Sequence, residues 1–173
     1  SNSTKEQISK IEEEACKNLY MYIYEYSEYH FKIAVEKPVK FDDYLREEIN
    51  IDYKGVDRDI INESIQALRL FAIKQVYPVI YSFFCALKKF NDKTNPNNLC
   101  ADAKKFGKNF LITLENLHFI NYKVGGNRAN VVEQIYAKYA KSFFSIENID
   151  DFLSLQKEFY EDLDNIKDKK DTF

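Results

Sequence analysis

Apolar residues recur along this chain at steps of three and four rather than two, and the breaks between the periodic runs are few. Ile8, Ile11, Ala15, Leu19, Ile23, Tyr26 and His30 form the first such stripe, inside a stretch from Thr4 to about Glu36 that holds no Gly or Pro. That spacing is the 3.6-residue period of an amphipathic helix with one face turned to a core. Ser3 or Thr4 can cap its start, and Glu6, Glu12, Glu13 and Glu14 suit the positive end of its dipole. Tyr20, Tyr22, Tyr24 and Tyr26 alternate, which alone would suggest a strand. The helical spacing on both sides makes helix the better reading.

Lys37-Pro38 ends this element, because the residue before proline is pushed out of the α region. Phe41 to Glu48 can form one or two turns with Asp42 as a cap, and Asn50 to Asp57 reads as a loop and the best place for a hinge. A further helix starts near Asp57 or Arg58, with Ile61, Ile65, Leu68, Ala72, Ile73 and Val76 as its stripe. At Tyr77-Pro78 the run must kink or restart, since an interior proline loses a hydrogen bond and costs about 3 kcal/mol. Val79, Ile80, Phe83, Phe84, Leu87 and Phe90 continue it. This stretch is apolar nearly all round and predicts a central buried helix.

Asn91 to Asn98 is the clearest loop. Leu99 to Lys123 predicts a helix buried through Ala103, Phe106, Phe110, Leu114 and Leu117, with Lys104, Lys105 and Lys108 outside that stripe. Gly125 or Gly126 can close it in the left-handed conformation. Asn127 or Asn130 can cap the next helix, through Val131, Ile135, Tyr139 and Phe143. A last helix, about Glu147 to Lys167, buries Ile149, Phe152, Leu155, Phe159 and Leu163. Asp164–Phe173 is expected to fray. The expectation is an all-α, single-domain bundle of six or seven helices over residues 1–173, with a Pro-kinked central helix around Tyr77-Pro78. Ser1-Asn2 reads as a remnant of tag removal, and the chain as a piece of a longer protein.

Composition agrees: 14 Phe and 13 Tyr supply the bulk of an aromatic core, and only four Gly and three Pro are available for turns. No apolar run approaches the ~20 residues that span a bilayer. Cys16, Cys85 and Cys100 lack CxxC spacing and read as core cysteines of a reducing, cytoplasmic environment. The net charge of −3 conceals a pattern. Residues 1–87 carry 11 basic against 15 acidic side chains, residues 88–144 carry 10 against 4, and residues 145–173 carry 4 against 9. A basic middle between acidic flanks suits either a polyanion-facing surface or pairing between neighbouring helices, the latter somewhat favoured.

Candidate chemistry is sparse, and no catalytic residue is nominated. Glu115-x-x-His118 places a carboxylate and an imidazole on one helix face, but a di-iron bundle needs a second such pair, and His30 has Ser27 at the matching position. Neither histidine follows an Arg at the spacing that HEPN-type ribonucleases require. Gly125-Gly126 lacks the context of a phosphate loop. Asp42-Asp43, Glu47-Glu48 and Asp150-Asp151 suit helix starts and solvated loops. Neither a metal nor another cofactor is expected. Arg128 stands out among four arginines because its planar fork favours carboxylate or phosphate, and at a helix start it opposes the dipole.

From Leu68 to Phe144 the order of elements resembles the helical region of GmrSD-like proteins, which are modification-dependent restriction and phage-defence systems. The resemblance lies in Val76-Tyr77-Pro78-Val79-Ile80-Tyr81-Ser82-Phe83-Phe84, in the break Tyr122-Lys123-Val124-Gly125-Gly126-Asn127-Arg128-Ala129-Asn130, and in the helix after it. Members of that family join a ParB-like N-terminal domain to a helical middle and often a C-terminal HNH nuclease. Their DGQQR-like and HNH motifs are missing from this chain, so no nuclease or nucleotide chemistry is implied for it. The resemblance implies a non-catalytic spacer or recognition domain, partnered by other domains of its parent and contacting DNA through Lys123, Arg128, Lys104, Lys105 and Lys108. Pro78, Gly125, Gly126, Asn127 and Asn130 would be its structural marks. The alternative is a self-contained helical protein–protein interaction module.

Overall fold

A computed structural model describes residues 2–30, 41–71, 74–91, 100–119 and 129–168. Seven helices make one bundle, with no strand among the described residues: α1 (Asn2–His30), α2 (Phe41–Glu48), α3 (Val56–Leu70), α4 (Val76–Phe90), α5 (Cys100–His118), α6 (Ala129–Phe144) and α7 (Ile149–Asp168). The Gly125–Arg128 break lies outside the described residues, as do Lys123, the 31–40 segment with Pro38, and the 92–99 loop. Asn130 falls in the first turn of α6. α7 runs through Asp168, and the rest of the tail lies outside the described residues.

α4 is the centre. It packs mainly on α6, also on α5, and takes the end of α1 on its other side; α3 lies on α5, and α7 on α6. Buried residues occur on every side of α4, from Val76 to Phe90, as expected for a helix without an interior charge. Phe83 stacks on Phe110 with ring centroids 3.8 Å apart, and its edge meets Phe143 at 5.3 Å. Phe152 and Phe159 of α7 close the same cluster. Tyr77-Pro78 is a joint rather than a bend within one helix. α3 ends at Leu70 and α4 opens at Val76, so Pro78 sits in the first turn. Amides there have no partner inside the helix, so the missing N–H costs nothing.

The segment between α2 and α3 is no hinge. Asn50 takes a left-handed φ of 62°, which lets the Ile51 N–H reach the Leu45 carbonyl at 2.9 Å. Ile51 and Tyr53 are buried. The Tyr53 hydroxyl donates to the Lys104 carbonyl at 2.7 Å, and the Asn91 amide donates to the Asn50 carbonyl at 3.0 Å. α7 begins on an Asn148 N-cap: the Asp151 N–H donates to Asn148 Oδ1 at 2.8 Å, and the Asn148 side-chain amide donates to the Asp151 carboxylate.

Candidate interaction surface

α1 carries the largest departure from expectation. A helix with 3.6 residues per turn puts Ile8, Ile11, Ala15 and Leu19 on the same side as Tyr22, Tyr26 and Tyr29. Only the tyrosine end of that side is covered. Tyr29 is fully buried, its ring 4.7 Å from Tyr81, and its hydroxyl donates to the Tyr77 carbonyl at 3.3 Å. Tyr26 meets Tyr81 edge-on at 5.4 Å, and Tyr22 meets Phe144 at 4.7 Å. Above Tyr22 the bundle stops. Ile8, Ile11, Leu19 and Ile23 are 50%, 66%, 59% and 56% exposed, and Ala15 is exposed as well. The predicted core stripe of α1 is therefore an outer surface over most of its length. The reason is geometric: α1 has 29 residues and the α4 it leans on has 15, so at 1.5 Å per residue it overshoots its support.

A groove of about 690 Å³ lies where α1 meets α2 and α4. Glu25 and Glu28 of α1 face Tyr44 and Glu48 of α2 across it, with Cys85 on its α4 wall. Its polar groups engage one another. Tyr81 donates to Glu25 at 3.3 Å, and Lys88 stands 3.9 Å from Glu48. Lys89 donates to the Phe144 and Ile146 carbonyls, both at 3.1 Å, closing the end of α6. Burial pushes the Cys85 thiol up to about 11, so it stays protonated at neutral pH and is a poor nucleophile. Cys16, read as a core cysteine, is exposed.

Of the basic residues nominated for contact, Lys104 and Lys105 are exposed on α5. Lys108 is not available in the same way: it pairs with Asp57 at 2.6 Å and is only 26% exposed. Lys138 likewise binds Glu158 at 2.9 Å and Asp162 at 3.0 Å. Part of the basic middle thus complements the two acidic flanks from within. Lys123 and Arg128 fall outside the described residues.

Glu115 and His118 do not act as a pair. The Glu115 carboxylate accepts from the Ser64 hydroxyl at 2.7 Å, while His118 Nε2 and the Tyr136 hydroxyl lie 2.8 Å apart. His118 is fully buried, and burial lowers its pKa to about 4, so the ring is neutral near pH 7. Among the described residues no three His, Cys, Asp or Glu side chains gather as a metal-binding set. None of their helices is long and apolar enough to cross a membrane. Sequence periodicity marked the α1 face as apolar but could not say it is uncovered; the available hint was that the stripe is longer than any neighbouring helix.

Comparison with family models, curated proteins and solved structures yields no match in any of the three.

Proposed function

We propose that this chain is a non-catalytic recognition and spacer domain that works by contact with other protein, with the N-terminal two-thirds of α1 as its docking element. The observation that carries this reading is the continuation of a face covered at its lower end, where Tyr29 is buried and Tyr22 and Tyr26 are half-buried, into exposed Ile8, Ile11 and Leu19. Helices of this length hold together in water mainly through packing of an apolar face, and a contiguous apolar patch on a protein surface marks an interaction site.

The larger setting we propose is a GmrSD-like, cytoplasmic restriction and phage-defence protein. Support comes from the Tyr77-Pro78 run and the Gly125-Gly126-Asn127-Arg128 break between apolar helices. Other domains of that parent are then the partners, and any nuclease or nucleotide chemistry belongs to them. DNA is a second contact, through Lys104, Lys105, Lys123 and Arg128, with Lys108 held back by Asp57. A self-contained interaction module uses the same α1 face and is the competing reading.

Phage plaquing on cells carrying the parent reading frame tests this. Ile11→Glu with Leu19→Glu is expected to abolish protection while the purified domain keeps its helicity and melting temperature. Unchanged protection overturns the docking role of α1. Duplex DNA titrations against salt, with Lys104→Ala, Lys105→Ala, Lys123→Ala and Arg128→Ala together, test the nucleic-acid part. Absence of binding at low salt removes it.

A further inference from the structure

We propose that the groove between α1, α2 and α4 binds a primary alkylammonium group, with the Tyr44 hydroxyl and the Glu28 carboxylate as its polar anchors. This site is separate from the exposed stripe of α1. A volume of about 690 Å³ suits a small molecule or one long side chain. Two polar groups on its wall stand outside the pairings described above. Tyr44 is only 8% exposed, yet its hydroxyl has no hydrogen-bond partner among the described residues. Its ring is held by Phe41, stacked 6.1 Å away, and by Tyr29, edge-on at 5.5 Å, so the hydroxyl is what Tyr44 offers to the groove. Burial first, then Cys85, Glu48 and Glu25, push that hydroxyl upward. It therefore stays protonated and lies within the field of two carboxylates. Glu28, exposed on the α1 side of the groove, makes no ion pair or hydrogen bond with any described residue.

The chemistry of the lining selects the occupant. Glu25, Glu28 and Glu48 share the groove with Lys88 and Lys89. Lys89 is committed to the Phe144 and Ile146 carbonyls, and Lys88 reaches Glu48 only at 3.9 Å. The charge left over is negative and disfavours an anion. These carboxylates do not gather as a metal-binding set, so a bare ion is not the fit; the cation must be broader and carry its own N–H donors. Ile49 and Tyr81 supply a buried apolar wall, and the Tyr24 ring, 55% exposed, offers a π face to a cation. An ammonium on a short alkyl chain meets each demand. Its N–H groups donate to the Tyr44 oxygen and to Glu28, a charge-assisted bond, while its methylenes lie along Ile49 and Tyr81. A free amine and a partner protein's lysine side chain share this chemistry.

Amide NMR titration of the whole chain with n-hexylammonium, read against neutral hexanol, is the test. The Tyr44, Ile49 and Cys85 amides should shift and saturate, with a dissociation constant on the order of 1 mM. Hexanol should bind about ten-fold more weakly or worse, and added salt should weaken the amine. Glu28→Gln, at an exposed site that leaves the fold intact, and Tyr44→Phe, which keeps the ring packed, should each weaken the amine about five-fold. Nα-acetyl-lysine methylamide separates the two sources: binding as tight as hexylammonium assigns the groove to a partner's lysine, and no binding restricts it to free amines. The proposal is overturned if those amides do not saturate, if hexanol binds as well as the amine, or if the affinity is indifferent to either substitution.

Discussion

The Tyr53 hydroxyl lies 2.5 Å from where a Cβ on Gly107 would stand. Gly107 is the place where the loop after α2 presses on α5, letting Tyr53 reach the Lys104 carbonyl; the Phe84 ring closes the other side at 3.0 Å. Ordinarily Gly→Ala inside a helix gains about 1 kcal/mol. Here overpacking outweighs that gain, and Gly107→Ala should destabilise the protein by about 1 kcal/mol net. Chemical denaturation of Gly107→Ala in wild-type and Tyr53→Phe backgrounds checks this. Removing the hydroxyl should recover at least half the loss.

His118 should make stability depend on pH. Its folded pKa of about 4 lies below the ordinary 6.5, so the unfolded chain binds the proton more tightly. The contribution is complete above pH 6.5 and is lost as pH falls towards 4. Across that window the linkage amounts to roughly 3 kcal/mol. Melting temperatures at pH 7 and pH 5 should differ in the wild type, and His118→Gln should flatten the difference.

Asp162 sets a second, more acidic window. The Tyr139 hydroxyl, which donates to it at 2.7 Å, and then Lys138 hold its carboxyl below the usual 3.8. Its contribution is present above that value and disappears only as pH drops below it. Asp162→Asn should cost about 1 kcal/mol at pH 7. A double-mutant cycle with Tyr139→Phe should show the two losses to be less than additive, because they remove the same bond.

Pro78→Ala should change stability by less than about 1 kcal/mol, and in the destabilising direction, through the freedom gained by the unfolded chain. Ala86→Pro, two turns further into α4, should cost about 3 kcal/mol or more. Equal effects in calorimetry would contradict a helix that restarts at Val76.

Where a feature depends on near neighbours, the chain is legible. α4 was readable as central because no charge interrupts Val76 to Leu87, and Asp150-Asp151 as helix-start carboxylates because the apolar period of α7 opens beside them. His118 was not, since the Tyr136 that receives it comes 18 residues later on another helix. Gly107 gave no signal for the same reason: the groups that crowd it belong to Tyr53 and Phe84.

The sequence by itself determined an all-α bundle of six or seven helices and which side of most of them is apolar, because periodicity and capping act over a few residues. Only the tertiary structure decided which apolar sides are covered, because burial depends on where other helices stop. α4 and α6 meet along their lengths. The support for α1 ends at Tyr22, and beyond it an ordinary-looking core stripe from Ile8 to Leu19 becomes a surface.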